Sequence, residues 1–134
     1  METGEPYVMY EDAVNAELPQ FQKEKGLYVN HSNLCSEITL ATNDERTAVC
    51  CLSSVNLEYY DEWSKVPAFI PDLIRMLDNV LTYFIDNAPT QMEKARFSAY
   101  RERSIGLGAM GFHAFLQKNM VPFESIHAAA LNEE

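Results

Sequence analysis

Apolar positions along the chain follow a helical period in its second half and a strand-like one in its first. Ile70, Leu73, Ile74, Leu77, Val80, Leu81, Phe84 and Ile85 recur at i, i+3, i+4 and i+7. That spacing predicts one long helix with a wide apolar stripe, starting near Pro67 or Pro71 and ending near Asn87, before Pro89. The stripe reads as a core face. A second helix is expected over Thr90 to Arg103, an apolar helical piece over Phe112 to Lys118, and a last one over Glu124 to Leu131. Between them, I-G-L-G-A-M-G (Ile105 to Gly111) reads as a glycine-rich junction.

The first half is shorter-ranged. E-P-Y-V-M-Y (Glu5 to Tyr10) reads as a strand, Glu11 to Glu17 as helical turns closed by Pro19, and Gln20 to Gly26 as a polar connection. Leu27 to Asn30 and Ile38 to Thr42 read as extended, with a turn at N-D-E-R (Asn43 to Arg46). T-A-V-C-C-L-S-S-V-N-L (Thr47 to Leu57) is a mostly apolar run, as in a strand buried on both faces, and Tyr59 to Ser64 reads as a surface connection. The arms on either side of Asn43 to Arg46 suggest a hairpin or long finger. A regular hairpin turning between Asp44 and Glu45 would pair Cys50 with Thr39. Cys35 and Cys50 would then stand roughly 13 Å apart at ~3.3 Å per residue. That is too far for a disulfide, which needs Cα atoms within about 7 Å. The mixture of elements predicts an α/β fold.

Composition narrows the class. A chain of 134 residues with 47% hydrophobic content is the size and make-up of one globular domain. Twenty acidic against ten basic residues give a net charge of −10, which argues against nucleic acid or an anionic membrane as partner. No run of about 18 apolar residues exists, and the N-terminus M-E-T-G-E-P lacks the apolar core of a signal peptide. Three cysteines, two of them adjacent, do not form a disulfide framework and suggest a reduced, cytoplasmic setting.

The chemistry concentrates in H-S-N-L-C-S-E, His31 to Glu37. In an extended segment Asn33, Cys35 and Glu37 would share one face, with Leu34 anchoring the other. An amide, a thiol and a carboxylate in one row, backed by an apolar residue, suit a reactive surface. Cys51 points opposite to Cys50 and reads as a small buried hydrophobe. Gly106, Gly108 and Gly111 fit G-x-G-x-x-G, but the preceding S-A-Y-R-E-R-S is no apolar strand, so close packing or a tight turn explains them better than a dinucleotide. His31, His113 and His127 are scattered and give no metal-ligand spacing.

S-N-L-C-S-E followed by T-A-V-C-C-L-S-S-V-N-L closely resembles the catalytic (large) subunit of class I ribonucleotide reductases. The resemblance extends through D-N-V-L-T-Y-F-I-D and R-E-R-S-I-G-L-G-A-M-G-F-H-A-F-L, and back to P-Y-V-M-Y-E-D-A-V-N. It implies part of a ten-stranded α/β barrel. Residues 1–30 would be a strand and helix lead-in, 31–57 the finger loop and strand, and 66–134 a helical part of one barrel segment. Cys35 would carry a transient thiyl radical that removes the 3′ hydrogen of a ribonucleoside di- or triphosphate. Glu37 would be the general base, Asn33 would orient the ribose hydroxyls, and Ser32 would lie against the substrate. Cys50 would be one of two reducing cysteines, reset by a thioredoxin- or glutaredoxin-type reductant.

The resemblance also implies partners. The family's catalytic subunit is several times longer, and the second redox cysteine, the shuttle cysteines and the radical-transfer tyrosines find no counterparts here. Tyr59 and Tyr60, in the connection after the strand, do not match that tyrosine pair. Activity would therefore require other segments of the catalytic subunit and a separate metal-containing small subunit that generates the radical. No cofactor is expected on this segment. The competing expectations are a non-catalytic interaction module derived from a reductase, and a small NAD-binding oxidoreductase using the glycine run.

Overall fold

The computed structural model describes residues 3–133. Its elements run α1 (Glu11–Ala16), α2 (Gln20–Glu24), β1 (Cys51–Asn56), α3 (Tyr60–Trp63), α4 (Phe69–Asn87), α5 (Glu93–Glu102), β2 (Ile105–Met110), α6 (Phe112–Lys118) and α7 (Ile126–Glu133). They fall into two compact units. One takes the chain up to Cys50 together with Leu81–Ser104; the other takes Cys51–Val80 and the chain from Ile105 onward.

In the first unit, helix α1 forms where expected, but Glu5 to Tyr10 is not a strand, and Tyr7, Val8 and Tyr10 are exposed. The polar stretch after Pro19 is helix α2 rather than a connection: proline supplies the entry residue and Gln20 to Glu24 are fair helix formers. Asn15 projects from α1 to bond both main-chain groups of the fully buried Val29, which holds Leu27 to Asn30 extended without a neighbouring strand. Tyr28 is bonded to Glu11, and that bond is the first cause of a phenol held above its ordinary pKa, with partial desolvation and the charges of Glu11 and Asp12 adding to it.

The expected turn at Asn43 to Arg46 is present, closed in both directions (N to O 3.0 and 3.3 Å) and stabilised by Asn43 Oδ1, which accepts from the Glu45 and Arg46 amides. It does not head a regular hairpin. Ile38 to Thr42 form no strand, and beyond the turn the Ala48 amide donates to Thr42 Oγ1 at 3.1 Å. Arg46 instead pairs with Glu102 at the end of α5, and the Thr47 amide donates to the Lys94 carbonyl. Helix α5 ends as the sequence suggests, on Arg103 in a left-handed conformation.

In the second unit, β1 pairs in parallel with β2, Cys51 opposite Ile105 through Asn56 opposite Met110. The apolar run therefore becomes strand only from Cys51. It is not buried on both faces: Val55 is buried, whereas Leu52 is half exposed. The glycine-rich junction is strand β2, preceded by a helix and not by the strand a dinucleotide fingerprint needs. Its spacing has a packing cause. Gly106 and Gly108 lie opposite Leu52 and Ser54, and a Cβ at Gly106 would come within 2.6 Å of Leu52 Cδ2. Gly111 has φ +80°, the left-handed entry into α6, with Asn56 Oδ1 where its Cβ would be.

Tyr59 to Ser64 is likewise more ordered than a surface connection. A short 3-10 turn capped by Asn56 leads into α3, and Trp63 Nε1 donates to the Asn56 carbonyl at 3.0 Å. Tyr60 meets Trp63 and Phe115 edge-on, and Trp63 stacks on Phe69. Phe115, Leu116 and Ala128 form the buried cluster joining α6 and α7. Helix α4 matches its expected span, but its stripe is covered only in part: Leu77 and Leu81 are buried while Ile74 and Val80 remain exposed. No helix among the described residues is long and apolar enough to cross a membrane.

Candidate active site

The sequence-predicted residues lie in the first unit, on a tip that the chain folds locally. Leu34, Cys35 and Ser36 form a turn, not an extended row, and Ser36 takes a left-handed conformation with φ 68°. The expectation that Leu34 anchors an apolar face is overturned: it is 94% exposed, the barest large apolar side chain described. Short polar side chains explain the difference. Asn and Ser offer the main chain local partners that compete with extended structure.

Asn33 closes the tip. Its amide donates to the Ile38 carbonyl (3.3 Å), its carbonyl accepts from the Ser36 amide (3.1 Å) and the Ser32 hydroxyl (3.0 Å), and its Oδ1 accepts from the Ile38 amide (3.0 Å). Farther down, Asn30 Nδ2 donates to the Thr42 carbonyl at 3.1 Å. Residues 30–33 and 38–42 thus flank a narrow loop whose tip carries the thiol. This loop reverses at Cys35, ahead of the separate turn at Asn43 to Arg46.

Asn33, Cys35 and Glu37 are all exposed on this tip, and Ser32 is half-buried beside it. Cys35 is an exposed free thiol. Cys50 is half-buried and immediately precedes β1, which begins at Cys51, itself half-buried. The tip therefore brings together an amide, a thiol and a carboxylate by a turn, while Cys50 comes from the far side of the Asn43 to Arg46 turn. Sequence reasoning missed the part played by Ser36 and by the main chain of Ile38. The signal was available in the turn-forming pair Asn33 and Ser36.

The family model for the barrel domain of ribonucleotide reductase matches residues 1–134. The chain belongs to this family. The large subunit of ribonucleoside-diphosphate reductase from Invertebrate iridescent virus 3 is 53% identical over 133 residues, covering 99% of this chain and 21% of the viral protein. The alpha subunit of the same enzyme from Chlamydia trachomatis is 38% identical over 133 residues, covering 95% of this chain and 12% of its own length. Among solved structures, the class Id ribonucleotide reductase alpha subunit of Actinobacillus ureae superposes with a TM-score of 0.85 at 41% identity, over 98% of this chain and 25% of that one. The chain thus spans about a fifth of the length of its viral relative. Its mixed helices and strands are a segment of the reductase's α/β barrel domain.

Proposed function

We propose that this chain supplies the radical thiol, the general base and one reducing cysteine of a ribonucleotide reductase, and acts once joined to the remaining parts of the catalytic subunit. The observation that carries the proposal is the exposed free thiol of Cys35 on a turn that also carries Asn33 and Glu37, in a chain of this family. The substrate is a ribonucleoside di- or triphosphate. A separate, metal-containing small subunit supplies the radical, and this segment binds no cofactor itself.

The chemistry then follows from the residues. A thiyl radical at Cys35 takes the 3′ hydrogen atom, forming S–H and leaving a ribose radical. Thiol and activated ribose hydrogens are held with similar strength, so the step is reversible. Glu37 accepts the 3′-hydroxyl proton, and the 2′-hydroxyl leaves as water with a proton from a reducing thiol. Cys50 and a second cysteine from elsewhere in the subunit give up two electrons and become a disulfide. A thioredoxin- or glutaredoxin-type protein resets that disulfide by thiol exchange. Return of the hydrogen atom from Cys35 to the 3′ carbon regenerates the radical.

The test is deoxyribonucleotide formation by this chain co-produced with the complementary segments and a small subunit. Cys35→Ser abolishes turnover, and Glu37→Gln lowers it by about a hundredfold or more. Full activity of Cys35→Ser in that assembly would overturn the assignment and leave the chain a binding module.

A further inference from the structure

We propose that the cavity at the foot of the thiol-bearing loop binds a small phosphorylated anion, held by Arg46, Arg101 and Lys25. This site goes beyond the radical chemistry and does not depend on it. The cavity belongs wholly to the first unit and shares no residue with the tip at 32–37. Its volume of about 550 Å³ is in the range of small-molecule sites. Leu27, which leads into one arm of the loop, and Arg46, which ends the turn after the other, both line it.

Positive charge gathers there against the trend of the chain. The protein has a formal charge of −10 and ten basic residues, yet three of those ten line this one cavity. Glu102 is the acid on its wall, and that carboxylate is spent in a largely buried ion pair with Arg46. Three cations against one carboxylate leave a formal charge of +2 on the lining. The Lys25 ammonium and the Arg101 guanidinium make no hydrogen bond or ion pair with the described residues. Both are therefore available to an incoming anion.

Phe97 fixes where two of these charges stand. The guanidinium carbon of Arg46 lies 5.4 Å from the centre of the Phe97 ring, and that of Arg101 lies 5.5 Å from it. Each cation is attracted by the ring electrons, so one aromatic side chain holds together two like charges that would otherwise part. Arg46 is anchored further by Glu102, and its Nε is buried without a hydrogen-bond partner among the described residues. A planar fork with unspent N–H groups matches the oxygens of a phosphoryl group two at a time. A monocarboxylate neutralises only one of the two surplus charges. Two linked phosphoryl groups engage both arginines at once, with Lys25 as a third charge on a flexible stem and the Ser104 hydroxyl as a neutral donor on the wall.

Calorimetric titration of the purified chain with inorganic pyrophosphate tests the site. Saturable binding is expected, weakening as salt rises, with the amide resonances of Phe97, Arg101 and Ser104 shifting in step. Arg101→Gln weakens binding about tenfold, the order of one lost charge-assisted hydrogen bond. Arg101→Lys keeps the charge, loses the fork and falls between the parent and Arg101→Gln. Lys25→Gln costs about threefold, as for an exposed, solvated charge. Lys65→Gln, in the second unit, leaves the affinity unchanged. The three substituted side chains are exposed, so the fold is kept. Orthophosphate binds more weakly than pyrophosphate, because it cannot reach both arginines. Absence of saturable binding, equal losses in Lys65→Gln and Arg101→Gln, or equal affinity for the two anions overturns the proposal. No readout here needs turnover, so its failure is distinct from failure of the proposed function, which the Cys35→Ser assay decides.

Discussion

The carboxamide of Asn15 grips the main chain of Val29 from both sides, with Nδ2 2.8 Å from the Val29 carbonyl oxygen and Oδ1 2.8 Å from the Val29 nitrogen. One side chain thus does for Val29 what a neighbouring strand would do. Val29 is fully buried, so water cannot replace these bonds. Asn15→Ala should cost about 2 kcal/mol, the order expected when buried main-chain groups lose their partner. Asn15→Asp keeps the acceptor and loses the donor, and should fall between parent and Ala. Urea unfolding at fixed protein concentration orders the three.

Gly111 and Gly106 differ in the cost of a methyl group although both are crowded. At Gly111 the left-handed φ of +80° and the Asn56 carboxamide both oppose a side chain, and that carboxamide is held by its bond from the Glu58 amide. Gly111→Ala should lose about 2 kcal/mol. At Gly106 the obstacle is the free end of a half-exposed Leu52, which can swing away. Gly106→Ala should change stability by less than about 1 kcal/mol, since the alanine also lowers the entropy of the unfolded chain. Equal losses at the two sites would contradict this account.

Leu116 and Leu34 are opposite cases of the same side chain. Leu116 is fully buried against Phe115 and Ala128, and Leu34 is 94% exposed at the tip. Leu116→Ala should destabilise the chain by about 2–5 kcal/mol. Leu34→Ala should stay within about 0.5 kcal/mol, because it removes almost no buried surface. Thermal unfolding of the two variants side by side checks the contrast.

Tyr28 gives a pH dependence. Its phenol pKa is raised, first by the hydrogen bond to Glu11. A raised pKa means the folded state holds the proton more tightly than the unfolded state. The stabilisation is complete below the ordinary tyrosine value of about 10 and is lost as pH rises through the folded value. Absorbance titration near 295 nm should show a late phase that disappears in Tyr28→Phe and moves to lower pH in Glu11→Gln. A late phase unchanged by Glu11→Gln would remove Glu11 as the cause.

Local information was enough for the elements whose cause is local. The 3.6-residue stripe set the span of α4, and the apolar Phe112 to Lys118 segment matched α6 residue for residue. Asn43 formed the turn that its own side chain favours. The tip failed for a reason that is also local: Asn33 and Ser36 can alternate in a strand or bond the main chain in a turn, and the second choice satisfies more polar groups. Sequence alone placed Asn33, Cys35 and Glu37 together, since residues so close along the chain share a site in either conformation.

What only tertiary structure decided is the pairing of β1 with β2 and the meaning of the glycines. I-G-L-G-A-M-G reads as a junction until Leu52 is set opposite Gly106, and Gly111 is seen turning beside Asn56. Parallel strands meet only after a long crossover, so neither carries the other's register in its own pattern. The sequence by itself determined that Asn33, Cys35 and Glu37 lie close together and that α1, α4 and α6 are helical, because those depend on neighbours a few positions away. Strand partners and the Asn15 clamp on Val29 depend on segments brought close only when the chain has packed.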